Sequence, residues 1–318
     1  MTKHLLITGG AGFIGSNFIS YLLNNTDYYI TNVDSLTYAG NKSNVADFDK
    51  SSRYRMLTFD ISKQSDIEKV CDQHYDAIIN FAAETHVDRS IRNASPFIDT
   101  NITGTFHLLQ MILSGKASKM IQISTDEVYG SLRPEETPFT ENTSIAPNNP
   151  YSASKASADL LVRSYYKTHQ LPLIITRCSN NYGPRQHIEK FIPKIITNAF
   201  ANKSIPLYGD GLNIRDWLYV KDHCRAIHLV LEKGNRGEIY NIGGNEEKTN
   251  REIVDLLLKK LGRSEKLINY IEDRKGHDRR YAIDSSKISR ELGWKPSFSF
   301  EQGIEKTIAW YSKEETKR

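Results

Sequence analysis

Asp126 and Glu127 stand side by side in STDEVYG, just after the apolar run KMIQI, with Thr125 before them. Adjacent carboxylates repel each other, and ending a strand requires neither. If such a pair is buried, each pKa rises and the first charge discourages the second. One group can then hold a proton while its neighbour accepts one. Downstream, YSASK places Tyr151 and Lys155 four apart, on one face of a helix. A free phenol titrates near pH ~10, too high for a base at neutrality, but a neighbouring ammonium favours its ionised form. Taken alone, the Tyr–Lys spacing is one that chance supplies often, and two acids also suit a solvated loop.

GGAGFIG makes the combination specific. Gly9, Gly12 and Gly15 follow a strand and open a helix. The first glycine permits a tight turn and the second lets a pyrophosphate approach the backbone. The third allows close helix–strand packing, and the helix N-terminus favours the negative charge. Asp34 ends the second strand about 20 residues on, where a ribose-binding acid belongs. A carboxylate there accepts from a 2′-hydroxyl and repels a 2′-phosphate, and no arginine lies between Asp34 and Ser52. NAD is therefore expected rather than NADP. Asp60, in FDIS, reads either as a helix cap or as an adenine contact.

The elements that must position these groups are legible as HLLIT, YYITNV, YRMLTF, DAIINF, KMIQIS and LPLIITR. Helix-period segments at 13–24, 65–73, 96–113 and 150–169 separate them, the last opened by Asn149 and Pro150. This alternation predicts an α/β fold, a doubly wound, Rossmann-like parallel sheet. After Arg177 the rhythm changes. CSNNYGPRQH is polar and loop-like, PLYGDGLNIRDW is rich in Gly and Asp, 222–232 and 250–261 read as helices, and basic-rich EDRKGHDRRYAID reads as too polar for a core. A smaller C-terminal α+β lobe is expected. Residues 1–177 plus about 218–244 would form the NAD domain; about 178–217 and 245–318 would form the lobe.

A net charge of +4 with scattered basic residues indicates no nucleic-acid footprint. No apolar stretch approaches the ~20 residues of a membrane span, and MTKHLLITGG enters a strand at once, leaving no room for a signal peptide. Cys71, Cys178 and Cys224 read as reduced thiols with no metal-ligand spacing. The expectation is a cytoplasmic soluble protein without metal.

Taken together, GGAGFIG, AAETHVDRS, STDEVYG, YSASKA, RCSNNYGP, GDGLNIRDWLYVKD and RKGHDRRYAID resemble the extended short-chain dehydrogenase/reductase family, on its nucleotide-sugar branch. The likeness runs from residue 3 to about residue 295, and STDEVYG points within it to the 4,6-dehydratases. It implies redox-neutral loss of water from a nucleotide-hexose, dTDP-glucose above all, giving a 4-keto-6-deoxy sugar. Thr125, Tyr151 and Lys155 would serve oxidation at carbon 4. Glu127 would take the carbon 5 proton, and Asp126 would protonate the departing 6-hydroxyl.

The same resemblance assigns the cofactor to Gly9, Gly12, Phe13, Ile14 and Gly15, and to Asp34, Ser35, Leu36 and Thr37. Asp60, Ile61, Ala82, Ala83, Glu84, Thr85, Thr100, Tyr151, Lys155 and Asn181 complete that set. For the nucleotide-sugar it implies Thr85, Thr125, Asn180, Lys190, Arg215, Asn250, Arg274 and His277, with Pro206, Leu207 and Tyr208 against the base. Tandem Asn180–Asn181 also suits a turn. Asn101 reads as a helix-backbone ligand and His107 as packing, while His86 stays open. Arg185 and His187-Ile188 depart from the family's usual aromatic and Pro-containing pattern. A homodimer through 96–113 and 151–169 is implied. The rivals are a nucleotide-sugar 4-epimerase, another dehydratase, or a non-catalytic NAD-binding regulator.

Overall fold

The computed structural model describes residues 2–316. The early apolar runs form β1 (His4–Thr8), β2 (Tyr29–Val33), β3 (Tyr54–Leu57), β4 (Ala77–Asn80), β5 (Met120–Thr125) and β6 (Leu173–Cys178). Six more strands follow: β7 (Asn180–Tyr182), β8 (Ile205–Tyr208), β9 (Ile214–Tyr219), β10 (Ile239–Ile242), β11 (Glu247–Thr249) and β12 (Ile268–Ile271). One seven-stranded sheet has the order β10-β6-β5-β4-β1-β2-β3, with every neighbouring pair parallel. The expected doubly wound sheet is present.

β4, β5 and β6 are buried along their whole length, which is why their sequences show no polar alternation. On one face Leu5, Ile7 and Ile121 join Phe18 of helix Phe13–Asn25 and Ile227 of helix Val220–Lys233. On the other, Leu6, Ile78 and Met120 meet Leu108 of helix Thr105–Leu113 and Val162 of helix Pro150–His169. The latter helix starts as its sequence predicts. Asn149 accepts from the Ser152 N–H at 2.9 Å, the Ser152 hydroxyl side closes a reciprocal cap, and Pro150 takes the first turn.

Three readings change. The expected helix at 96–113 is divided into Ser95–Phe97, a wide π-type turn Ile98–Gly104, and Thr105–Leu113. Buried Asn101 lies in that wide turn, accepting from Glu84 N (2.9 Å) and donating to Glu84 O (3.1 Å) and Ser154 Oγ (2.8 Å). It ties a loop to a helix instead of bonding its own helix backbone. The Gly- and Asp-rich PLYGDGLNIRDW carries most of β8 and β9, which join the small sheets β12-β8 and β11-β9-β7. The basic-rich segment also enters the interior, where Asp278, Arg280 and Tyr281 are buried. Arg280 can be there because Glu247 (2.6 Å) and the Glu136 carbonyl (2.6 Å) satisfy its guanidinium.

Candidate active site

Strand order reverses between β1 and β4, and in open α/β sheets ligands bind in the crevice at such a reversal, beyond the C-terminal strand ends. Gly9 turns there with φ +69°, and a Cβ on it would stand 2.6 Å from Ala82 N. A Cβ on Gly15 would stand 2.4 Å from Gly9 O, so both positions require glycine. Helix Phe13–Asn25 begins at Gly12 with no side-chain cap and no acid in its first turn. Its leading N–H groups are thus left for an anionic ligand. Asp34 is fixed beside them, its Oδ2 accepting from Ala11 N and its Oδ1 from Leu36 N, each at 2.8 Å. Each oxygen keeps a lone pair for a ribose hydroxyl. These features fit a dinucleotide with a free 2′-hydroxyl.

The groove that starts at these glycines runs past Ser35, Thr37, Asp60, Ile61, Ala82, Ala83, Glu84, Thr85 and Thr100 to Thr125, Tyr151 and Lys155. Of the positions expected to hold the cofactor, Leu36 alone does not line it. At φ +54° its side chain packs against the core beneath. Asp60 lines the groove but is not the helix cap: helix Gln64–Val70 starts at Lys63 without a side-chain cap, and Asp60 Oδ1 accepts from Ser62 N (2.9 Å) and Ser62 Oγ (2.8 Å) in the turn before it.

A second groove continues from the first, and Thr85, Glu127, Asn180, Asn181, Gln186 and Lys190 line both. Pro206, Tyr208, Arg215, Asn250, Arg274 and His277 line its far part. Leu207 is fully buried, because alternation along β8 turns it away from Pro206 and Tyr208. Asn180 and Asn181 sit on β7 rather than in a turn, and Asn180 Oδ1 is buried without a hydrogen-bond partner among the described residues. Arg215 is held by the carbonyls of Ile214 (2.7 Å) and Asp278 (2.9 Å) and lies over the Tyr281 ring at 4.3 Å. Carbonyls hold it without neutralising it, which leaves its charge available to an anion. Arg274 differs: its Nε pairs with Asp88 at 2.6 Å. Asp278, Tyr281 and Trp217 also line this groove and were missed from sequence; the first two lie inside the stretch read as too polar for an interior.

Where the grooves meet, β5 ends and a single tight turn, Asp126–Tyr129, delivers the two acids. Thr125 caps that turn, accepting from Glu127 N at 3.3 Å and donating to Asp126 Oδ1 at 3.2 Å. Asp126 is 2% exposed, and its Oδ2 has no partner among the described residues. Burial, then the charges of Glu127 and Asp216, push its carboxyl well above the ordinary range. Asp216 is itself a buried acid, anchored by Glu246 N (2.7 Å) and Gly244 N (2.9 Å). Glu127 is also raised by burial, but Arg215 and Lys190 pull it back toward its charged form. The neighbours thus face opposite surroundings: one anions, the other cations.

Tyr151 is buried, and burial followed by Glu127 raises its phenol well above the ordinary value, while the Thr125 hydroxyl favours ionisation. One turn along, the Lys155 ammonium donates to Ile123 O at 2.6 Å. Phenol, hydroxyl, ammonium and both acids share one cavity.

The chain matches, over residues 6–307, the family described as GDP-mannose 4,6 dehydratase. It belongs to that family. It is 48% identical over 337 residues to a dTDP-glucose 4,6-dehydratase of Neisseria gonorrhoeae, covering 99% of this chain and 97% of the other. It is 50% identical to the low-salt glycan biosynthesis protein Agl12 of Haloferax volcanii, covering 96% and 98%. The crystal structure of DesIV, a dTDP-glucose 4,6-dehydratase of Streptomyces venezuelae with NAD bound, superposes with a TM-score of 0.95 at 47% identity, covering 98% of each chain.

Against this family background the unusual residues take distinct places. Arg185, at φ +68°, turns back to donate to Ser16 O at 3.0 Å and lies over Phe48. His187 lines the first groove, edge-on to Tyr38 at 5.8 Å. His86 precedes helix Val87–Arg92 and faces Glu189 at 3.6 Å, whereas His107 bonds the Ile61 carbonyl at 2.8 Å.

Proposed function

We infer that the protein is an NAD-dependent dTDP-glucose 4,6-dehydratase, forming dTDP-4-keto-6-deoxyglucose. The observation that carries this reading is the pair of buried Asp126 and half-buried Glu127 at the junction of the grooves, in one cavity with Tyr151, Thr125 and Lys155. An epimerase needs only the last three. Bound NAD supplies the hydride acceptor for carbon 4 and the donor for carbon 6, so the overall reaction consumes no reductant.

The glycine turn, the N-terminus of helix Phe13–Asn25 and Asp34 would hold the pyrophosphate and adenosine ribose. Arg215, with Lys190 and His277 nearby, would neutralise the diphosphate, and Pro206 and Tyr208 would bracket the base. Tyr151, as phenolate, takes the proton of the 4-hydroxyl. The resulting ketone acidifies carbon 5, and Glu127, biased toward its anion by Arg215 and Lys190, takes that proton. Asp126, kept protonated by burial and by two neighbouring acids, gives its proton to the 6-hydroxyl as water leaves. Glu127 then returns a proton to carbon 5. This assignment treats residues 1–177 and about 218–244 as the NAD domain and the rest as the sugar lobe.

Incubation with dTDP-glucose tests the reading. A 4-keto product absorbing in alkali is expected, without net reduction of added NAD. Formation of dTDP-galactose would instead identify an epimerase, and unchanged substrate with NAD retained would identify a non-catalytic binder.

No helix among the described residues is long and apolar enough to cross a membrane, and a cytoplasmic site of action is part of this reading. A homodimer is also part of it. Phe106 and Leu113 on helix Thr105–Leu113, and Leu160 on helix Pro150–His169, are exposed apolar residues on two helices joined by Gln110 and Tyr165 at 2.6 Å. Leu160→Glu is expected to convert a dimer to a monomer in light scattering. An unchanged mass for the variant, or a monomeric wild type, refutes that interface.

A further inference from the structure

Lys155 is a buried ammonium whose hydrogen-bond acceptor is a neutral carbonyl, Ile123 O at 2.6 Å. Burial pulls its pKa down, and something must oppose that if it is to stay charged beside Tyr151. One turn further along the same helix, Asp159 is 1% exposed and accepts from Arg177 Nε at 2.9 Å through Oδ2. Its Oδ1 accepts no hydrogen bond among the described residues, although the Ser124 hydroxyl lies beside it. Arg177, on β6, is itself sandwiched by the Tyr129 ring at 4.7 Å, whose hydroxyl donates to Asn241 at 2.8 Å. The acid is therefore fixed from behind and has a spare oxygen lone pair on a helical face shared with the lysine.

Resting on the dehydratase reading above, we propose that Asp159, clamped by Arg177, is a positioning residue that keeps Lys155 charged and thereby sets the ionisation of Tyr151.

The surroundings leave no other candidate among the described residues. From β6, Cys178 faces the ammonium, but burial pushes its thiol up to about 12, so it is neutral. From β5 come the Ile123 carbonyl and the Ser124 hydroxyl, both uncharged. Helix Val87–Arg92 and the segments at 95–113 also pack on this helix and bring no charged side chain against the ammonium. Among the described residues the anion favouring the lysine's charge is Asp159. The sign follows. Without that anion the Lys155 pKa falls further, a neutral lysine stabilises phenolate less, and the Tyr151 pKa rises.

The test compares wild type, Asp159→Asn and the double variant Asp159→Asn/Arg177→Met, which removes the buried pair without stranding a cation. Two readouts are taken: the pH profile of kcat with dTDP-glucose, and the ultraviolet tyrosinate signal of each protein against its Tyr151→Phe counterpart. Both variants are expected to shift the acid limb and the tyrosinate midpoint upward by about one pH unit, equivalent to about a tenfold loss on that limb. A double variant with the wild-type midpoint overturns the proposal, because Asp159 would then serve only to neutralise Arg177. If Asp159→Asn fails to fold, the double variant decides alone. A wild type that titrates as described but does not convert dTDP-glucose refutes the dehydratase reading and leaves the electrostatic claim standing.

Discussion

Tyr151→Phe is expected to lower turnover by roughly 10²–10⁴-fold, the range that a positioned acid–base group supplies, while NAD remains bound. The phenyl ring fills the same buried space, and the glycine turn and Asp34, which would hold the adenosine half, lie on other elements. The pH dependence gives a second signature. Burial and the nearby Glu127 raise the phenol's pKa, so the phenolate, and with it the rate, should appear as pH rises through that value. The variant should lose this limb rather than shift it. Product formation from dTDP-glucose measures the first effect, and the cofactor released on denaturation measures the second requirement. A variant within about tenfold of wild type, holding NAD normally, removes Tyr151 as the base.

Such a prediction was reachable from sequence because its ingredients are local. The glycine turn sits within one strand–helix junction, the Tyr–Lys pair within one helical turn, and the acid pair at one strand end. Each is a short-range pattern whose geometry follows from backbone period. What escaped was assembled from distant segments. Asp216, which helps hold Asp126 protonated, is anchored by the backbone of Gly244 and Glu246, and no local pattern announces that meeting. Arg280 reads as surface until Glu247, more than 30 residues away, is found opposite it. The wide turn at Ile98–Gly104 hides for a similar reason: Asn101 within it bonds to Glu84 and Ser154, partners that lie 17 and 53 residues away. Leu207 and Leu36 were over-read because a motif was carried across whole, without regard to alternation or to a positive φ. Local rules recover the chemistry; the tuning of that chemistry belongs to tertiary contacts.

The acid pair yields the sharper of the two tests, since its members are isosterically replaceable and should fail at different steps. Glu127→Gln is expected to stop wash-in of solvent deuterium at carbon 5 and to cut turnover by about 10²–10⁴-fold, because an amide cannot take the proton. Asp126→Asn should retain carbon 5 exchange, since Glu127 and its cations Arg215 and Lys190 are untouched, yet lose water slowly. A substrate with fluoride at carbon 6 needs little protonation of its leaving group, so it should rescue Asp126→Asn and not Glu127→Gln. Stability offers an independent check on the protonation state. An aspartate whose folded pKa is raised loses stability as pH climbs from about 4, its unfolded value, through the folded one. Asp126→Asn should therefore raise the melting midpoint at neutral pH relative to its effect at pH ~4. Exchange lost equally in both variants, or equal slowing for the fluoride substrate, means that the two carboxyls do not divide the labour as base and acid. The opposite surroundings of the pair, anions beside Asp126 and cations beside Glu127, are what demand that division.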